Sequence, residues 1–203
     1  MEEIGLFPLP LVLLPSERVP LHIFEDRYRD LIGECLAEER PFGLVYADDE
    51  GIRDVGTQAN VIQVLNRFDD GRLNVLVEGS ERFRLVELTD GRTFETGMTS
   101  PMEDDDDPAD AGSIERALEL FGELRELTGS DVEVPAATSA QLSYALAARV
   151  ELATQAKLEL LAERSERTRL EKVCDLLVDA TDVVERQQRA AERAATNGKV
   201  DLS

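Results

Sequence analysis

Between Leu6 and Ile32 the chain reads LFPLPLVLLPSERVPLHIFEDRYRDLI, strongly apolar, yet its first fifteen residues hold Pro8, Pro10, Pro15 and Pro20. Proline lacks a backbone donor and cannot occupy a helix interior. In sheets it is confined to strand starts, edges and bulges. The spacing therefore predicts a short buried strand at Leu11–Leu14, a turn at Pro15–Arg18 and a second extended piece at Val19–Phe24. From Asp26 the period changes. Tyr28, Leu31, Ile32, Cys35 and Leu36 fall on one face of a helix ending near Glu39, with Glu25, Asp26 and Asp30 in its first turns and Pro41 closing it.

The next sixty residues are strand-like. FGLVYA, ANVIQVLNRF, GRLNVLVEG and ERFRLVEL are separated by Asp69-Asp70-Gly71 and a break at Gly79, with a turn signal at Asp90-Gly91. Such runs predict antiparallel hairpins closing into a sheet or small barrel. Without βαβ alternation, a doubly wound nucleotide-binding fold is not expected. PMEDDDDPADAG, residues 101–112, reads as an acidic solvated linker rather than an ion-binding loop, because its aspartates are contiguous.

Beyond the linker the pattern is helical. Ser113 is expected to cap a helix carrying Ile114, Ala117, Leu118, Phe121 and Leu124. Ser139 is expected to cap one carrying Leu142, Ala145, Leu146 and Val150, and a short helix follows Thr154 with Leu158 and Leu161. Ser165 starts a long one with Leu170, Val173, Cys174, Leu177, Thr181 and Val184 facing inward. The expected organisation is a β segment over 1–100, the linker over 101–112 and a helical segment over 113–197.

Charge and missing motifs narrow the chemistry. The net charge is −21, and residues 1–100 hold 20 acids against 10 bases, residues 101–112 six acids and no base, and the remainder 17 against 12. No segment is basic, which speaks against nucleic acid and anionic membrane surfaces as partners. No run is long and apolar enough to span a bilayer. MEEIG opens with acids where a secretory leader carries Lys or Arg, so a cytoplasmic protein is expected. Cys35 and Cys174 lie on apolar helix faces and read as buried hydrophobes, and with one histidine a His/Cys metal site has few ligands. No phosphate-binding loop, dinucleotide fingerprint or nucleophile elbow occurs, and the Gly198-Lys199 pair is followed by Val200. No cofactor is expected. His22, in an alternating apolar stretch, reads as a structural hydrogen-bonder before a general base.

Taken together, FPLPLVLLPSERVPLHIFEDRYRDLI, FGLVY, VGTQANVIQV and DGRLNVLVEGSERFRL resemble the N-terminal substrate-binding domain of the Lon protease family. The likeness is dense over residues 4–100 and looser through ELATQAKLELLAERSERTRLEKVCDLL. It implies an α+β protein: a PUA-like β pseudo-barrel of about six strands followed by a C-terminal helical bundle, as in bacterial proteins carrying this domain alone. Two positions depart from the usual pattern, Ser16 where the turn commonly has Gly and Asp26 where Pro often opens the helix.

The resemblance implies a non-catalytic module that binds unfolded or partner polypeptide, as an adaptor or regulator. His22, Phe24, Glu25, Arg27 and Tyr28 are its signature residues, with Tyr28 expected to pack and Arg27 to pair with a carboxylate. A binding surface is expected as an exposed apolar patch along the barrel rim and the groove toward the helices. Two other readings stay open. A small-molecule sensor requires a deep apolar pocket. A hydrolase requires a cleft holding His22 or a carboxylate pair of shifted pKa.

Overall fold

A computed structural model describes residues 1–139 and 141–197. The Gly198-Lys199 pair lies outside them. Contacts group the chain into two units, one formed by Met1–Asp106 with Ala147–Arg164, the other by Asp107–Leu146 with the chain from Ser165 onward.

The first unit is built on six strands: β1 Glu2–Leu9, β2 Arg18–Ile23, β3 Phe42–Asp48, β4 Gly51–Arg67, β5 Leu73–Thr89 and β6 Thr96–Pro101. Their order is β2-β5-β4-β3-β1-β6, and a further β5–β6 pairing closes β5, β4, β3, β1 and β6 into a ring. β5 has β4 along one side. Its other side takes β2 over residues 73–78 and β6 over 83–89, which leaves β2 as an appended edge strand.

The sheet is mixed, because β1 runs parallel to β3 with Leu6 opposite Gly43. All-antiparallel hairpins were the expectation, and β1 is what that expectation lacked. Its first residues, Glu2 and Glu3, face solvent and hide the alternation that begins at buried Ile4 and Leu6. Leu11–Leu14, expected as a strand, is instead an irregular buried connection. Val12, Leu13 and Leu14 are buried, while side chains satisfy their backbone: Glu17 accepts from the Leu14 amide at 2.9 Å and Thr57 donates to the Leu13 carbonyl at 2.6 Å. Nor does Gly79 break a strand. β5 runs through it, and the register with β4 slips nearby between Thr57 and Ala59.

Helix α1, Asp26–Glu38, buries Tyr28, Leu31, Ile32 and Cys35, the face expected from the spacing. They join Phe7, Phe42, Val75 and Val77 in the main core of this unit. Ser16 sits in the left-handed region, φ 65°. A Cβ is disfavoured there, which is why glycine suits that turn. Ser16→Gly is therefore expected to raise stability by about 0.5–1 kcal/mol, read as a higher urea midpoint with an unchanged slope.

Helix α4, Thr154–Ala162, groups with the sheet and not with the other late helices. Lys157 pairs with Glu17, and the buried Arg82 side chain donates to the carbonyls of Leu161 and Glu163 at 2.7 and 2.8 Å and pairs with Asp104. The acidic run, expected as a solvated linker, is irregular and mostly exposed but is tied to its surroundings at particular aspartates. Besides Asp104, Asp105 pairs with Arg164 at 2.6 Å.

In the second unit, helix α2, Ala111–Thr128, is capped by Asp110, which accepts from the Gly112 and Ser113 amides. Ser113 was the expected cap, but the helix starts one turn earlier, because the carboxylate reaches two orphan amides at once. α2 packs on α5, Glu166–Asn197, whose Ser165 accepts from the Thr168 amide as a cap should. Asp107 accepts from Ser165 Oγ and from Arg167. α3, Leu142–Ala147, begins three residues after Ser139. Its Ser143 amide donates to Glu166, which also pairs with fully buried Arg169 lying over the Tyr144 ring.

Candidate functional site

The five signature residues divide between two places. Tyr28 is buried and stacks on Phe7, ring centroids 3.9 Å apart. The Arg27 guanidinium lies 4.4 Å from the centroid of the Tyr28 ring and donates to Glu25 at 2.9 Å and Glu95 at 2.5 Å. Glu25, Arg27 and Tyr28 thereby fasten the start of α1 to the segment entering β6. Burial and then the nearby Glu95 carboxylate push the Tyr28 phenol up to about 12. Folding thus favours the neutral phenol. The stability this gives is present below the ordinary pKa of 10.0 and is lost as pH rises toward 12. In an ultraviolet difference titration of wild type against Tyr28→Phe, the missing phenolate is expected near pH 12.

His22 and Phe24 sit elsewhere, on the outer face of the β2-β5-β4 part of the sheet. Phe24 is 59 % exposed. The His22 ring stacks on Phe24 at 5.9 Å, meets the edge of Phe68 at 6.1 Å, and its Nδ1 lies 2.5 Å from Asn74 Oδ1. His22 is therefore an exposed hydrogen-bonder within an aromatic cluster.

β4 extends this cluster into a patch. Between Val61 and Gln63, and again between Val64 and Asn66, its register against β5 slips by one residue. Each bulge sets two β4 residues against one on β5: Ile62 and Gln63 against Leu76, Leu65 and Asn66 against Asn74. Val61 and Val64 stay packed against the core, while Ile62 and Leu65 are 42 % and 47 % exposed. Pro20 and His22 of β2 occupy the same two rows. The outcome is a strip of Phe24, His22, Phe68, Leu65, Leu76, Pro20 and Ile62 along the outer face of these strands. Single exposed apolar residues are ordinary, whereas a run of neighbours on one face is a candidate interaction surface. Only its β2 end was legible in the motif. The β4 half was missed because VIQVLN repeats every three residues, and that period was the available signal.

Other chemistry in the first unit is sparse. A polar depression of about 280 Å³ lies beside Arg27, Asp90, Arg92 and Glu95, and a shallow, more apolar one of about 380 Å³ lies between β4 and α4 beside Val55, Leu158 and Leu161. Burial pushes the Cys35 thiol up to about 11, away from thiolate reactivity. Among the described residues no group of three or more His, Cys, Asp or Glu is placed to hold a metal ion, and no helix is long and apolar enough to cross a membrane.

Residues 3–179 match the family model described as the ATP-dependent protease La (LON) substrate-binding domain. Lon protease 1 of Hydrogenovibrio crunogenus is 26 % identical over 199 residues, which cover 90 % of this chain and 24 % of the relative. The Lon protease of Paraburkholderia phytofirmans is 26 % identical over 206 residues, covering 94 % of this chain and 25 % of the relative. The chain thus spans about a quarter of the length of these proteins. A crystal structure of a Lon N-terminal domain protein from Xanthomonas campestris superposes with a TM-score of 0.66 at 27 % identity, covering 85 % of this chain and 97 % of that one. The N-terminal domain of a Mycobacterium avium complex Lon protease gives 0.65 at 17 % identity, covering 89 % and 98 %, a likeness of fold alone.

Proposed function

The chain belongs to the Lon substrate-binding domain family, and from that premise we propose that it is a non-catalytic module that captures unfolded or partner polypeptide on the outer face of β2, β5 and β4, as an adaptor or regulator of proteolysis in the cytoplasm. The ring of strands supports describing the sheet as a PUA-like pseudo-barrel, with the recognition surface in the segment 1–100. His22 and Phe24 are assigned to contact the polypeptide. Glu25, Arg27 and Tyr28 are assigned to hold α1 in place.

The observation that carries this reading is the pair of bulges that turns Ile62 and Leu65 outward on the face that also carries Leu76, His22 and, stacked on His22, Phe24. A soluble surface gains nothing from such an arrangement unless something covers it. The net charge of −21 favours neutral or basic segments over nucleic acid or acidic ones. Affinity comes from the apolar strip, since exposed charge pairs contribute only about 0–1 kcal/mol each.

The test is a fluorescence titration with a reduced, alkylated and permanently unfolded model protein at low and physiological salt. Binding in the micromolar range is expected, little changed by salt, with folded controls binding less. Ile62→Ser/Leu65→Ser removes about 1 kcal/mol of apolar burial per side chain, so affinity is expected to fall about 30-fold. Both positions are already half wet, so the thermal midpoint of that variant should match wild type. Binding only to a basic, non-hydrophobic peptide, abolished by salt, would show plain electrostatics and overturn the proposal.

A further inference from the structure

We infer that Asn60, Gln63 and Asn66 form an amide ladder that reads the main chain of an extended polypeptide, an inference that rests on the docking face proposed above. These amides stand three residues apart on β4, and in a regular strand they would point alternately to opposite faces. The two bulges undo that alternation. Asn60 pairs with Glu78, Gln63 with Leu76 and Asn66 with Asn74, so each three-residue step on β4 matches a two-residue step on β5. All three side chains lie on the exposed face. Two residues of strand rise about 6.7 Å, which is also the repeat at which an extended chain offers N–H and C=O groups toward one side.

The hydrogen-bonding state of the ladder fits that role. The side-chain amides of Gln63 and Asn66 make no hydrogen bond to any described residue, whereas the side chain of Asn74 in the same row as Asn66 is engaged by His22. Asn60 donates to Ser80 Oγ at 3.1 Å and keeps its carbonyl oxygen for an incoming donor. A primary amide carries both donor and acceptor, so it pairs with the N–H and C=O of one residue whatever its side chain.

Charge complementarity points to the same occupant. Ala59–Asn66, ANVIQVLN, holds no charged residue in a chain that is 32 % Asp, Glu, Lys and Arg. The charges in these rows, Glu78 opposite Asn60 and Arg18 beyond it, pair with each other at 2.7 Å, so the strip suits uncharged backbone better than an ion, with Ile62 and Leu65 covering whatever apolar side chains the polypeptide brings. Recognition of this kind is indifferent to sequence, as capture of many unfolded chains requires.

The experiment uses three fluorescein-labelled peptides of about twelve residues, long enough to run the length of the strip. One alternates Leu with Ser, one is its scramble, and one carries the first sequence with its central backbone nitrogens methylated. The first two should bind within about twofold of each other and the methylated one about tenfold more weakly, the effect of losing two or so backbone hydrogen bonds. Gln63→Ala/Asn66→Ala should weaken the first two by about tenfold and leave the methylated peptide unchanged, with an unaltered thermal midpoint. Equal binding of parent and methylated peptides, or no effect of the double variant, overturns the ladder. If Ile62→Ser/Leu65→Ser still weakens binding about 30-fold in that case, the docking face stands without it. If that variant also binds as wild type, the docking face itself is wrong.

Discussion

Replacing Arg82 with Met is expected to lower the unfolding free energy by about 3–5 kcal/mol, the cost of breaking a buried ion pair by removing one partner. The Arg82 side chain is 1 % exposed and donates to the Leu161 and Glu163 carbonyls at the end of α4 and to the Asp104 carboxylate. A methionine fills much of the volume but removes the guanidinium that bonds two carbonyls and pairs with a carboxylate. Arg82→Lys keeps the charge and loses the fork, so an intermediate loss is expected. Arg84 is the control. It pairs with Asp54 in the open, and Arg84→Met should cost no more than about 1 kcal/mol. Urea unfolding followed by circular dichroism measures all three. A loss for Arg82→Met no larger than for Arg84→Met would show that α4 is held to the sheet by something else.

A single methyl group at position 79 is expected to cost about 2–4 kcal/mol, the upper range for forcing extra volume into a packed site. A Cβ there would lie 2.2 Å from the Leu14 carbonyl oxygen, a backbone atom that cannot rotate away. That carbonyl belongs to the irregular connection packed against the sheet, and Ser16 and Glu17 exchange hydrogen bonds with Gly79 itself. Gly79→Ala must therefore shift the turn or bend β5. Gly122→Ala serves as comparison, since nothing lies within 4 Å of its Cβ and alanine is the better helix former. Gly79→Ala with wild-type stability would contradict the close approach of Leu14.

Legibility followed the strength of local signals. α1 was readable to within a residue because Tyr28, Leu31, Ile32 and Cys35 repeat at helical spacing between an acidic first turn and Pro41. Prolines were a weaker guide. Pro8 sits inside β1, opposite Val45, and the apolar run after Pro10 is buried without being a strand. Composition cannot separate a buried strand from a buried connection when side chains such as Glu17 and Thr57 supply the hydrogen bonds. The parallel β1–β3 pair joins residues far apart in sequence and leaves no local trace. At the site, the aromatic end was legible because His22 and Phe24 belong to a recognisable motif. Ile62 and Leu65 were not, because alternation is the usual mark of a half-buried strand and bulges abolish it. Even so, valines at 61 and 64 with wet neighbours between them record the bulges in the sequence.

The claim that polypeptide docks on the outer face of β2, β5 and β4 is tested most directly by photo-cross-linking. Benzoylphenylalanine is placed at Leu65 in one protein and at Leu88 in another. Both positions are exposed, but Leu88 lies near the far end of β5, beside the polar depression. Irradiation with a labelled unfolded polypeptide is expected to give adducts from position 65 that unlabelled polypeptide competes away, and few from position 88. Adducts from position 88 alone, or equal yields from both that competitor does not reduce, would contradict the account.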